Sequence, residues 1–299
     1  MRKRLISLLT ERAKFDLRPF LLVGDLGFGV VEEFEGQFPK RFLNVGVSEQ
    51  AGIGFSAGLA KEYLPFFYSI GNFSSFRALE QIRNDVAHEG WPVVIVSLGS
   101  GFSYGTAGYS HHAIEDAGAV ASIMGMDVFT PSCVHEMEHV LSMHWENPRP
   151  MYLRLGSAEK CNFNHPINPL GSFSTYKDHS GGVALLAHGE IVHQALQASE
   201  LIETDLAIFS IFHYNRLSKE LIETLKKFDK IATLEEHFVE GGFGMRVKAS
   251  LPITSTQSFK CLGIQEYDSH MSGSRPSMLA RVGLDPKSIA RSVKGFIES

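Results

Sequence analysis

Asn44-Val45-Gly46-Val47-Ser48-Glu49-Gln50, followed by the small-residue run over 51–60, is the stretch whose reading decides the fold. It reads as a short buried strand over 42–45, a loop, and a helix over 48–63. Ser48 suits the N-cap, and Glu49 falls in the first turn, where a carboxylate complements the helix dipole. Gly52, Gly54 and Gly58 lie inside that helix, each costing about 1 kcal/mol relative to alanine. Gly54 and Gly58 are four apart and share a face. Such a cost is accepted mainly where another backbone comes close. The plain reading is a well-capped helix with a packing face. The sharper one is an acidic side chain presented at the mouth of a helix stripped for tight contact.

Working outward, apolar runs at 20–23, 42–45, 66–70, 93–98, 127–130 and 151–155 alternate with helical patterns that include 73–88 and 133–145. This alternation predicts parallel α/β construction. A second α/β unit has strand candidates near 183–187, 206–212, 230–234 and 259–264. Its closing helix is expected over 286–297, with Pro286 in the first turn. Between the two, 157–182 carries Asn, Pro, Gly, Ser and His without a period and reads as a linker. The expected fold is therefore α/β, with two three-layer domains and mainly parallel sheets. Residues 1–160 form the first domain, 161–180 the linker and 181–299 the second domain.

The 299 residues are 44% hydrophobic and 20% charged, as in soluble globular proteins of two domains. A formal charge of −5 without strong clustering argues against a nucleic-acid partner. Arg2-Lys3-Arg4 starts like a signal peptide, but Thr10, Glu11 and Arg12 break the apolar run that follows, leaving an amphipathic helix. No apolar run approaches the ~18 residues that span a bilayer, so no membrane partner is expected. Cys133, Cys161 and Cys261 are odd in number and far apart, which disfavours a disulfide framework and fits a reducing cytoplasm. There is no internal repeat, Walker loop or G-x-G-x-x-G turn.

The opening stretch closely resembles the N-x-G-[IV]-x-E-[QH] segment of thiamine-diphosphate enzymes of the transketolase type. The resemblance continues through 68–86, 105–116, 151–156 and 233–244, and so covers most of the chain. It is similar to the pyrimidine-binding domain plus C-terminal domain of a transketolase. Deoxyxylulose-phosphate synthase and the β subunit of two-subunit 2-oxoacid dehydrogenases share that layout. The resemblance implies that Glu49 is catalytic. It would hydrogen-bond the cofactor's aminopyrimidine and drive the tautomer that takes a proton from the thiazolium carbon. Such a carboxyl works best with a raised pKa, in an apolar, water-poor pocket. Asp25, in Gly24-Asp25-Leu26-Gly27, matches a cofactor-binding aspartate, although Asp-x-Gly equally favours an Asx-type turn. Phe73 and Phe76, at i and i+3, match aromatic walls of the aminopyrimidine pocket, and such pairs are otherwise plain core. Leu79 stands where a third aromatic is usual.

Gly105–Asp116 resembles the family's G-x-[ST]-H-Q segment. This implies that His111 lies over the reactive centre as a donor to a substrate hydroxyl or oxyanion. His112 replaces the usual glutamine as a substrate contact. A histidine pair before a helix otherwise serves a turn or a metal. Arg154 matches a phosphate-contacting arginine, with Arg2 a second candidate. Two departures stand out: Ala107 replaces an aspartate that reads a sugar hydroxyl, and Gly99 replaces a phosphate-binding histidine. Thr233–His237 with the glycines at 241, 242 and 244 resembles a strand–loop–helix that supports the dimer. His135-Glu136-Met137-Glu138-His139 is a literal H-E-x-x-H, but its α/β setting points to a solvated, charged helix face rather than zinc.

The family's diphosphate end is held by a G-D-G motif with a downstream asparagine, which together bind magnesium. Gly24-Asp25-Leu26 is not that motif, and nothing else here qualifies. The implied partner is an N-terminal, diphosphate-binding transketolase subunit that holds the magnesium, with two copies of each chain. The implied activity is transfer of a two-carbon ketol unit between phosphorylated or modified sugars. A deoxyxylulose-phosphate-synthase-like or 2-oxoacid dehydrogenase β-type subunit is the alternative within the cofactor class. A non-catalytic assembly subunit is the alternative outside it, against which the retention of Glu49 with an aromatic pair speaks.

Overall fold

The computed structural model describes residues 1–156, 171–179, 182–204, 206–252 and 257–299. Six strands form the first sheet: β1 (Pro19–Val23), β2 (Phe42–Asn44), β3 (Leu64–Ile70), β4 (Val94–Leu98), β5 (Asp127–Phe129) and β6 (Met151–Leu155). Their order is β2-β1-β3-β4-β6-β5, and every pairing is parallel. The second sheet contains β7 (Phe173–Lys177), β8 (Val183–Ala187), β9 (Leu206–Ile211), β10 (Lys230–Phe238) and β11 (Ser258–Ile264). Its order is β11-β10-β8-β9-β7, with β7 alone running antiparallel. The near-continuous apolar runs of β4, β8 and β9 are buried along their whole length, as parallel strands covered on both faces must be. In β1, Leu22 faces a core cluster with Ile53 of the helix Glu49–Leu59, whereas Leu21 and Val23 face one with Leu5 and Leu9 of the helix Arg2–Ala13. Helices therefore cover both sides of the sheet, giving the expected three layers.

Several local expectations need correction. The strand at 42–45 is not buried: β2 is the sheet edge, Leu43 is 37% exposed and Asn44 is exposed. Ser48 occupies the N-cap, but its side chain makes no cap hydrogen bond. The helix ends at Leu59, short of 63. Gly52 is required by a ring rather than a backbone, since a Cβ there would lie 2.3 Å from Phe67. Gly54 and Gly58 look outward; a Cβ at Gly58 would meet nothing within 4 Å. The helix expected over 73–88 is broken into Gly71–Phe76, Leu79–Gln81 and a wide π turn over Ile82–Ala87. Strand β7 lies inside the range read as a linker; 157–170, 180 and 181, with Cys161, lie outside the described residues. Strand β10 runs on to Phe238, which places Glu235, Glu236 and His237 within the strand.

The order of the first sheet fixes where a ligand can sit. From β1 the chain moves outward to β2 and then returns to β3 on the other side, so the crossovers diverge between β1 and β3. Parallel sheets open a crevice at the carboxyl ends of strands flanking such a point. Asp25 follows β1, Glu49 follows β2, Phe73 follows β3, and the loop carrying His111 follows β4. Among the described residues, no helix is long and apolar enough to cross a membrane.

Candidate active site

An open recess of about 680 Å³ lies at this crevice, lined by Val47, Ser48, Glu49, Gln50, Ala51 and Arg77. Glu49 is 3% exposed, and its Oε2 accepts a hydrogen bond of 3.1 Å from Arg77 Nη1. The Arg77 guanidinium also lies 4.0 Å over the Phe73 ring. Phe73 meets His111 edge-on at 5.1 Å, and the Tyr104 ring also meets His111 edge-on, at 6.3 Å. Tyr104 in turn accepts from Arg2 at 3.3 Å. Glu49, Arg77, Phe73, His111, Tyr104 and Arg2 thus form one continuous line of contacts. The structure brings together three of the expected residues, Glu49, Phe73 and His111.

Local chemistry explains why these loops hold their shape. Asn44, first residue of the opening motif, accepts from the Gly46 N–H at 2.9 Å and donates to Asp25 at 3.2 Å. It ties the loop after β2 to the loop after β1. Asp25 has φ +54°, the one left-handed non-glycine residue among those described. That conformation costs of order 1 kcal/mol and persists where the surroundings demand it. Asn72 pins the His111 loop, donating to the His112 carbonyl at 2.8 Å. Ser110 Oγ lies 2.9 Å from His111 Nδ1. Partial burial, helped by His112 and Arg77, holds His111 below its usual 6.5.

Three expected site residues do other work. Neither Phe73 nor Phe76 lines the recess itself, but Phe73 contacts Arg77 and His111 whereas Phe76 is 47% exposed, and Leu79 packs against the core. His112 is fully buried, with Nδ1 in contact with the Tyr267 hydroxyl and Nε2 2.9 Å from the Gly105 carbonyl. Both ring nitrogens are engaged by protein partners, which ties the loop down. Arg154 is 3% exposed, and its Nε donates to both oxygens of Asp116 at 3.0 Å. Its Nη2 donates to the Ala113 carbonyl at 2.6 Å. Its guanidinium is thus enclosed among protein acceptors rather than presented to the recess.

Arg154 belongs to a polar seam joining the two units. Tyr152 donates to Asp116 at 2.9 Å, and Glu236 accepts from the Phe102 N–H at 2.7 Å and from Arg275 Nε at 3.1 Å. Gly101, at φ +58°, could carry no side chain, since a Cβ would fall 2.3 Å from the Glu236 carboxyl. Gly99 is emptied likewise by the Tyr104 ring, 2.2 Å from where its Cβ would be. N–H groups of the glycine turn at 241–244 are taken by a side chain. Glu235 fills it, accepting the N–H groups of Phe243 and Gly244 at 2.7 and 2.8 Å. Burial pushes the Glu235 carboxyl up to about 8.

The H-E-x-x-H segment is neither a zinc site nor a solvated face. Glu136 is fully buried and accepts the Ser132 N–H at 2.7 Å, closing the start of the helix Val134–Glu146. His135 is exposed, His139 packs on Phe212, and burial pulls His144 down to about 4. The sequence reading missed Arg77, Asn72 and Tyr104 in the site and Asp116, Glu236 and Tyr267 in the seam. Only Arg77 carried a legible signal, four residues beyond Phe73 and so on the same helical face.

A buried carboxyl group with an aromatic ring one residue away, beyond Arg77, fits the aminopyrimidine end of thiamine diphosphate, a planar ring with nitrogens at its edge. The diphosphate and its magnesium find no such fit. Among the described residues no three His, Cys, Asp or Glu side chains gather as cation ligands.

Residues 7–159 match the family of the transketolase pyrimidine-binding domain, and residues 176–289 match that of the transketolase C-terminal domain. The chain is 31% identical over 303 residues to a putative transketolase C-terminal section of Methanocaldococcus jannaschii, covering 98% of this chain and 95% of that protein. It is 26% identical to an apulose-4-phosphate transketolase subunit of Phocaeicola vulgatus, covering 99% and 97%. It is 30% identical to the 1-deoxy-D-xylulose-5-phosphate synthase of Pelotomaculum thermopropionicum over 87% of this chain, but spans only 42% of that longer protein. Among solved structures, a split-gene transketolase described as an inactive beta4 tetramer superposes with TM-score 0.86 at 24% identity, covering 99% of this chain and 98% of that one. The Campylobacter jejuni transketolase gives 0.84 at 18% identity, covering 98% and 46%. The chain belongs to the transketolase family, whose members are thiamine-diphosphate-dependent transferases, and carries that family's pyrimidine-binding and C-terminal domains.

Proposed function

We infer that this chain is the pyrimidine-side half of a two-subunit transketolase that moves a two-carbon ketol unit between phosphorylated or modified sugars. The observation that carries the reading is the buried Glu49 carboxylate in the wall of an open recess, linked through Arg77 to the face of the Phe73 ring. When bound, thiamine diphosphate supplies a nucleophilic carbon able to add to the donor's ketone. Glu49 would hydrogen-bond a ring nitrogen of the pyrimidine and orient it, and Phe73 would offer its face. His111 is neutral near pH 7. With Ser110 on its Nδ1, it donates from Nε2 to a substrate oxygen.

The partner is an N-terminal, diphosphate-binding subunit that holds magnesium, with two copies of each chain in the assembly. Beside the recess, Ala51, Phe55 and Gly58 of the helix Glu49–Leu59 lie exposed together with Val47, an apolar face suited to that partner. Near-full-length similarity to a protein named as a transketolase subunit, and to one named as a C-terminal section, supports the same division. A second reading, a half that takes a 2-oxoacid donor, is favoured by Ala107 and by the ring that fills the place of a side chain at Gly99. The test is a calorimetric titration of thiamine diphosphate with magnesium, into this chain alone and into its complex with a G-D-G-bearing subunit. Tight binding only in the complex is expected; turnover by the chain alone would overturn the two-subunit reading. Ketose and 2-oxoacid donors then separate the two chemistries.

A further inference from the structure

Arg77 follows the helix Gly71–Phe76 directly, and its side chain is 47% exposed. Its guanidinium lies 4.0 Å over the Phe73 ring and donates from Nη1 to Glu49 Oε2 at 3.1 Å. A guanidinium is flat, stacks on aromatic faces and carries its N–H donors at its edge. These two contacts, a ring face and a buried carboxylate, are the ones the proposed function asks of the aminopyrimidine. We propose that Arg77 is a built-in stand-in for the cofactor ring, seated against Phe73 and Glu49 in the unloaded site and displaced when the ring enters.

The energetics make such a device workable. Glu49 is 3% exposed, and a buried carboxylate without a partner is costly, so the unloaded site needs a cation. Arg77 opens onto the recess, so its guanidinium regains hydration when an incoming ring takes over the contact with Glu49. Cofactor binding then becomes an exchange, and the apparent affinity is lowered by the fraction of sites that Arg77 fills. By contrast, a residue that held the ring in place would strengthen binding.

The inference rests on the cofactor reading above, and one titration separates the two. Thiamine diphosphate with magnesium is titrated calorimetrically into the two-subunit complex carrying either Arg77 or Arg77→Ala. The stand-in predicts a Kd lower by about tenfold in the variant, the size of a removed competing conformer. It also predicts a lower melting temperature for the unloaded variant, where Glu49 has lost its partner. Arg77→Gln, which keeps much of the bulk but not the charge, gives the same sign and serves if the alanine variant does not fold. Wild-type binding with equal or weaker binding by the variants overturns the stand-in alone. A wild-type complex that binds no cofactor overturns the cofactor reading and the stand-in together.

Discussion

Two places in this chain set a buried carboxylate against an arginine, and they differ in what the arginine has left to offer. At the seam, Arg154 is 3% exposed and gives its donors to Asp116 and the Ala113 carbonyl, while Asp116 also holds Tyr152. At the recess, Arg77 is 47% exposed and gives Glu49 a single bond. A pair closed on every side is architecture, because any move leaves a charge stranded in low dielectric. A pair with one member open to water can be rearranged by a ligand. Motif matching assigned substrate contact to Arg154 and passed over Arg77; the surroundings reverse that order.

The largest effect expected from this contrast is on folding. Arg154→Ala strands Asp116 and should lower unfolding free energy by about 3–5 kcal/mol, read from urea denaturation. A variant that folds normally and only raises KM for phosphorylated sugars would break the comparison and return Arg154 to the substrate. A smaller effect, pH-dependent, is expected at Glu235. Its folded pKa of about 8 lies above the ordinary 4.5, so the folded chain keeps a proton that the unfolded chain releases between those values. Its contribution to stability therefore falls as pH rises from about 4.5 to 8 and is level beyond. Glu235→Gln removes that slope, so its stability relative to wild type should rise through the same window, by a few kcal/mol at most. Parallel stability curves for the two proteins would contradict the assignment.

Much of the architecture was legible because parallel strands covered on both faces are written as bare apolar runs. β6 and β8 begin and end where their sequences, Met151–Leu155 and Val183–Ala187, predict. β7 was hidden because Phe-Ser-Thr-Tyr-Lys reads as a polar loop until an antiparallel edge accounts for its alternation. β2 was legible as a strand but not as an edge, since edge position depends on the order of the whole sheet. Glu49, Phe73 and His111 could be named from motifs because each lies in the segment that follows a strand end: Glu49 opens the helix after β2, Phe73 lies in the helix after β3, and His111 lies in the connection after β4. The roles of Arg154 and His112 could not, because their partners Asp116 and Tyr267 lie 38 and 155 residues away. Glu136 shows the same limit locally, since its burial depends on what covers the helix start.

The central claim is that the recess performs chemistry while the seam holds the protein together. Glu49→Gln tests it most directly, with turnover and unfolding midpoint measured on the same preparation of the two-subunit complex. The amide keeps the shape of the side chain and loses the charge. Turnover should fall by about 10²–10⁴-fold, the range for losing an acid–base group, with the unfolding midpoint nearly unchanged. Retained turnover, or a loss that merely tracks unfolding, would place Glu49 with the seam as a structural residue and contradict the account.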